Sequence, residues 1–233
     1  MNFPNFNEEK KLWKQGFNFV VGLDEAGRGP LAGPVVAAAV MLIINNKKHS
    51  HILKNVRMLG IRDSKKLSPK QREFFYRILT NHKNIKWGIG IVSEKVIDKI
   101  NILEATKLAM QKALNNLNLS LKKGKNKSVI INGRRLLQTG VGFLLIDGNF
   151  VLNLEIAQKS IIKGDEKVFS CMAAGIIAKV TRDRIMQKLH KRYPQYGFTF
   201  HKGYPTSLHV KNLKSLGPCK IHRKTFYPVS DFM

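Results

Sequence analysis

Acidic residues are scarce in this chain. Its 233 residues hold 15 Asp and Glu against 41 Lys and Arg, a formal net charge of +26 with a pI of about 10.3. So one-sided a balance implies a polyanionic partner, nucleic acid before any other. A membrane surface would need a basic amphipathic helix or a lipidation signal, and neither is seen: Asn2 stands where myristoylation needs glycine, and no cysteine box ends the chain. Lys/Asn runs such as Asn45-Asn46-Lys47-Lys48 inflate the charge, so charge alone does not identify the partner. Cysteine is nearly absent. Cys171 and Cys219 are the two present, which points to a reducing compartment. Cys219 and His222 make a single C-x-x-H that lacks the second pair a zinc site needs. No apolar run is long enough to span a membrane, and MNFPNFNEEKKLWKQG has no apolar signal core, so the cytoplasm is expected. There is no Gly-Lys-Ser/Thr of a P-loop and no Gly-x-Ser-x-Gly elbow for acyl chemistry. Internal repeats and low-complexity linkers are also missing.

What is present is organised around Phe17 to Ile44. Two apolar runs, Phe19-Val20-Val21 and Val35 to Ile44, flank a turn rich in glycine and proline, and so read as neighbouring strands. Asp24 and Glu25 lie where the first run should still be buried, and a buried charge is costly unless paired or bound to metal. Gly27 and Gly29 let the backbone approach a ligand closely, with Arg28 between them. The plainer alternative is a tight hairpin with two solvated acids at its rim.

Glu8 to Trp13 forms a short helix that packs Leu12 and Trp13 on the body. Ser68-Pro69 starts a helix whose apolar face is Phe74, Phe75, Ile78 and Leu79. Ser64, Lys65 and Lys66 then fall in the loop before it, suited to phosphate or simply solvated. Ile85 to Val92 is a strand; helices begin at Ser93 and at Asn101. The basic stretch 121–139 reads as a solvated loop. Phe143 to Ile146 is a second buried strand that ends in Asp147. A further short strand is expected within 154–162, ending before Lys163-Gly164-Asp165. The helix from Ser170 onward is apolar all round at first and should be buried there, with Lys179, Arg182, Arg184 and Lys188 on its outer side. The tail interleaves aromatics with cations, as in HKGYPT and HRKTF, a pattern suited to a nucleic-acid groove or to covering the core.

Asp24, Glu25, Asp147 and Asp165 each lie at the edge of an apolar run, in or beside a glycine-bearing turn. In open α/β sheets, strand ends gather ligands. Four converging carboxylates repel unless cations neutralise them, and an oxygen-only set suits Mg²⁺ or Mn²⁺. Two such ions would serve in-line hydrolysis of a phosphodiester. On this division of labour, the Lys and Arg surplus holds the strand and the few acids hold the metal.

The segments GLDEAGRGPLAGPVVAAAV, DSKKLS, NILEATKLAM, LLIDGNF, KGDEKV, AAGIIAKVTRDRIM and YPQYGFTFHKGYPT, in this order, resemble bacterial ribonuclease HII, the type 2 ribonuclease H family, over about Val20 to Phe226. The resemblance implies a ribonuclease H-like α/β fold: a central mixed sheet flanked by helices, with a small C-terminal helical extension. The expected division is an extension over 1–16, a catalytic domain over 17–192 and a substrate-contacting segment over 193–233 on the same body. It implies a monomer that acts on RNA/DNA hybrids and on DNA with embedded ribonucleotides, leaving 5′-phosphate and 3′-hydroxyl ends. By motif, Asp24, Glu25, Asp147 and Asp165 match the metal-binding catalytic four. Gly27-Arg28-Gly29 matches the loop whose backbone meets ribose 2′-hydroxyls, and Tyr204 is similar to the tyrosine that stacks on the neighbouring deoxyribose. Ser64, Lys65, Lys66, Lys179 and Arg182 match residues near the substrate backbone. Two departures stand out: Gly175 replaces the usual serine, removing a hydroxyl expected near Asp165, and Thr225 replaces serine. The alternatives are a basic RNA-binding protein without catalysis and a different two-metal nuclease acting on DNA.

Overall fold

The computed structural model describes residues 4–43, 67–122 and 142–233. The expectations for Ser64, Lys65 and Lys66, and for nearly all of the basic stretch 121–139, lie outside the described residues.

After helix α1 (Asn7–Lys14), the chain forms strands β1 (Phe19–Ala26) and β2 (Val35–Leu42). Helix α2 (Pro69–Asn81) leads to β3 (Ile85–Val92), and the long helical run α3 (Glu94–Lys122) follows. Next come β4 (Gly142–Asp147), β5 (Ala157–Ile161), the one-turn α4 (Gly164–Lys167) and the central helix α5 (Phe169–Arg192). Short α6 (Phe198–His201) and α7 (Ser207–Leu216) complete the described α-helices, with single 3-10 turns at Pro194–Tyr196 and Val229–Phe232. No helix among the described residues is long and apolar enough to cross a membrane.

The sheet order is β3-β2-β1-β4-β5. Pairing is antiparallel on one side of β1 and parallel on the other, so the sheet is mixed as expected. The last strand is Ala157–Ile161, inside the 154–162 stretch where a short strand was expected. Starts and stops follow local chemistry. Ser68 caps α2 with a full capping box: its hydroxyl accepts from Gln71 N–H, and Gln71 accepts from Ser68 N–H. In α3, Asn101 breaks the helix at φ 64°, and its Oδ1 accepts from Leu103 and Glu104 N–H, restarting it.

Strand β2 is buried throughout and serves two cores by alternation. Val35, Ala37, Ala39 and Met41 face α3, with Ala105, Ala109, Met110 and Ala113. Val36, Ala38, Val40 and Leu42 face α5 and α2, with Phe75, Leu79, Met172, Ile176 and Ile177. Each large side chain so buried contributes roughly 1.5–3 kcal/mol. The alternating glycines of β3 have a packing cause: a Cβ at Gly90 would overlap the carbonyl of Ala109, so helix α3 lies with its backbone against the strand. Helix α1 is pinned at its inner face. Glu9 is wholly buried and accepts from Ser170 N–H and Oγ, both at 2.9 Å, at the start of α5. Burial, opposed by those hydrogen bonds, lifts its carboxyl to about 7.

Candidate active site

The parallel pairing of β1 and β4 sets Leu23 opposite Ile146, so Asp24 and Asp147 are the next residues along each strand. Both lie at the carboxyl ends of neighbouring parallel strands, the position where open α/β sheets bind ligands. Both also share the α5 side, because Leu23 and Ile146 pack towards α3. Asp165 arrives from α4, after Lys163 turns the chain at φ 57°. Gly164 N–H donates to Asp147 Oδ1 at 2.7 Å and ties that turn to the strand. One ligand oxygen from each of Asp24, Asp147 and Asp165 lies within 4.8 Å of the others. Glu25 is outside this trio; by alternation it leaves the strand on the other face, and Arg28 Nη1 approaches its Oε1 at 3.5 Å.

Asp24 is buried. Burial first, then the charges of Glu25, Asp147 and Asp165, push its carboxyl well above the usual range; the N–H of Glu25, donating at 2.6 Å, opposes this. A crowded, oxygen-only, partly buried acidic group of this kind fits a hard divalent cation. Gly175 belongs here too, but not as expected. A Cβ at 175 would overlap Asp24 Oδ2, so the missing side chain makes room for Asp24, not for contacts near Asp165.

Beside the acids runs the 27–34 loop between β1 and β2. Two buried arginines hold it through its carbonyls. Arg182 donates to Pro34 O from Nε at 2.9 Å, to Lys202 O from Nη1 at 2.9 Å and to Ala32 O from Nη2 at 3.1 Å. Arg223 donates to Gly33 O from Nε at 3.0 Å, to Arg28 O from Nη1 at 2.8 Å and to Gly27 O from Nη2 at 2.6 Å. Arg182 therefore does not emerge on the outer side of its helix, and with no exposed surface it cannot meet a phosphate. A signal for its place does exist in the sequence: Ala174, Ala178, Arg182 and Met186 form one buried i, i+4 stripe. Arg223 carried no such signal: HRKTF reads as groove or core cover, and nothing in it singles out one cation for burial. Burial lowers both guanidinium pKa values, to about 10 and about 9, which leaves both charged near neutrality. Gly27 also has a different reason than expected. Its φ is +99°, and a Cβ there would overlap Arg182 Nε, so it admits an arginine and not a ligand. Gly29 is exposed, and a Cβ there would lie 3.9 Å from the Tyr204 ring.

Tyr204 is 39% exposed, with Lys179 Nζ 5.7 Å from its ring centre; Lys179 also pairs with Asp183 at 2.8 Å. Tyr196 and Phe198, by contrast, are core. Three buried histidines hold the backbone around Tyr204. His222 Nδ1 accepts from Cys219 N–H at 2.9 Å, which leaves its Nε2–H to donate to His209 Nε2 at 3.1 Å. His209 Nδ1–H then donates to Tyr204 O at 2.9 Å. His201 Nδ1 accepts from Gly203 N–H at 3.1 Å. This chain of bonds works only with neutral rings. Burial pushes His209 and His222 down from 6.5 to about 4, with a neighbouring imidazole adding to the effect in each. Because the folded values are depressed, these rings support stability above 6.5 and lose it as pH falls towards 4. The excess in Tm of the wild type over His209→Gln should therefore shrink across that window; a constant difference by calorimetry would contradict the neutral chain.

The same architecture occurs in the ribonuclease H2 of Pyrococcus horikoshii OT3, whose crystal structure matches with a TM-score of 0.63 at 28% identity, covering 92% of this chain and 96% of that one. The fold is thus that of the ribonuclease H-like α/β enzymes. Within that class the chain belongs to the Ribonuclease HII family, whose sequence model matches residues 21–229. It is similar to ribonuclease HII of Chlamydia muridarum, 46% identical over 223 residues that cover 96% of this chain and 88% of the relative. The Acetivibrio thermocellus ribonuclease HII is likewise 46% identical, over 94% of this chain and 73% of its own length. The chain is accordingly an enzyme with ribonuclease H activity that acts on nucleic acid, and its acidic group is able to hold a divalent metal.

Proposed function

We propose that this enzyme hydrolyses the RNA strand of RNA/DNA hybrids and also cuts 5′ of single ribonucleotides embedded in duplex DNA, leaving 5′-phosphate and 3′-hydroxyl ends. The observation that carries this is the acidic trio within 4.8 Å, set beside the exposed residues Arg28 and Gly29, of which Gly29 borders Tyr204. Asp24, Asp147 and Asp165 would hold two Mg²⁺ or Mn²⁺ ions, with the neighbouring charge of Glu25 adding to the pull on them. When bound, such ions activate water and stabilise the leaving 3′-oxygen. The protein's own groups do the rest. The exposed Arg28-Gly29 stretch of the loop meets the ribose through its backbone, and the 2′-hydroxyl there is what separates RNA from DNA. Tyr204 stacks on the adjoining sugar, and Lys179 stands beside it for the phosphate; a role on the substrate backbone is also proposed for Ser64, Lys65 and Lys66. The remaining cations supply sequence-independent grip on the duplex. The units 1–16, 17–192 and 193–233 act together as one monomer in the cytoplasm.

The test uses a labelled DNA duplex with one ribonucleotide. Wild type should cut it with Mg²⁺ or Mn²⁺ and not with EDTA, and should leave an all-DNA duplex intact. Asp147→Asn should lose cleavage while binding the hybrid nearly as well, because binding rests on Lys and Arg. Normal cutting by Asp147→Asn would overturn the assignment. Salt-sensitive binding without any cutting by wild type would instead favour a non-catalytic binder.

A further inference from the structure

Arg223 lies near the C-terminal end of the chain, wholly buried, and none of the described carboxylates is within ion-pair distance of it. Its guanidinium is satisfied by three carbonyls of the 27–34 loop instead. Two of these belong to consecutive peptides, Gly27–Arg28 and Arg28–Gly29. In a trans peptide, C=O and N–H point in opposite directions across a rigid plane. With both carbonyls turned inward onto one buried fork, the N–H groups of Arg28 and Gly29 are turned outward. Both residues are exposed, and Gly29 borders the half-exposed Tyr204 ring. Two successive outward N–H groups form a concavity that binds an electron-rich oxygen.

We propose that Arg223 is a positioning residue for ribose discrimination: by clamping the carbonyls of Gly27 and Arg28, it aims the Arg28 and Gly29 amides at the substrate's 2′-hydroxyl. This rests on the proposed reading that the loop backbone meets the ribose. Arg182 holds the other end of the same loop, at Ala32 and Pro34, and ties it to Lys202 ahead of Tyr204. The two cations, from different parts of the chain, thus fix the loop and the tyrosine as one frame. Only a planar fork can serve carbonyls on this many sides; an ammonium is a point donor on a flexible stem.

The experiment compares Arg223→Lys with wild type for equilibrium binding, by fluorescence anisotropy in EDTA, to a duplex with one ribonucleotide and to the same duplex in all-DNA form. Wild type should favour the ribonucleotide duplex, and Arg223→Lys should lose at least about tenfold of that preference, a differential of about 1.4 kcal/mol, with all-DNA binding unchanged. With metal present, the loss should appear in KM for the ribonucleotide duplex. A protein with only general damage would weaken on both duplexes alike. If Arg223→Lys is folded by circular dichroism and keeps the wild-type preference, the inference is wrong while the function stands. If wild type itself shows no preference and cuts both duplexes equally, the functional reading falls and the inference with it. Should the lysine variant not fold, wild type still decides: the Arg28 and Gly29 amide resonances must move with the ribonucleotide duplex and not with the all-DNA duplex, and their failure to move overturns the proposal.

Discussion

Asp24→Asn should lose cleavage by at least about a hundredfold, the scale of removing one preorganised electrostatic group, yet unfold at a higher temperature than wild type when both are free of metal. The two effects have one cause. Asp24 is buried beside Glu25, Asp147 and Asp165, and its carboxyl is pushed well above its ordinary 3.8. A group raised in this way favours the fold below 3.8 and loses that contribution as pH rises towards its folded value. Asparagine keeps the shape and carries no charge, so the advantage of the variant should open as pH rises above 3.8. A bound cation relieves the same repulsion, so adding Mn²⁺ should raise the Tm of wild type more than that of the variant. Scanning calorimetry in EDTA and in Mn²⁺ measures both. An Asp24→Asn variant no more stable than wild type without metal would show that the acids do not strain the fold, and a metal would then have little reason to sit there.

Gly27→Ala should be the most damaging single methyl group in the loop. It imposes φ +99° on a residue with a Cβ and drives that Cβ into Arg182. Strain and displacement together cost about 3 kcal/mol, a fall in Tm of roughly 6–12 °C for a domain of this size. Activity should fall further than stability alone explains, because Arg182 also holds Ala32, Pro34 and Lys202. Gly29→Ala is the control: a Cβ there meets only ordinary contact with Tyr204, so stability should hardly change. Equal Tm losses in the two variants would mean that Gly27 is not held by the arginine.

Much of the fold was legible because its signals are local. Ser68-Pro69 marks a helix start, and the apolar doublet of β1 and β2 marks paired strands. The convergence of Asp24, Asp147 and Asp165 was legible for a related reason, though Glu25 falls outside it: a carboxylate at the edge of an apolar run costs energy that a plain fold would avoid. The arginines were not. Lys179 and Arg182 are three residues apart on one helix, yet one borders the cleft and the other has no exposed surface. Gly27 and Gly29 flank one arginine, and only Gly27 is filled from behind by a guanidinium.

Residue order was thus sufficient for most of the longer elements, the scarcity of acids and the class of chemistry, because helix caps, strand periodicity and charge are properties of short windows. Which cations face solvent, and which turn inward to aim a loop, depended on partners up to 196 residues away, as Arg223 is from Gly27. A guanidinium has the same charge in either place. What separates the two fates is whether distant carbonyls arrive to replace its water, and that is known only once the chain has closed on itself.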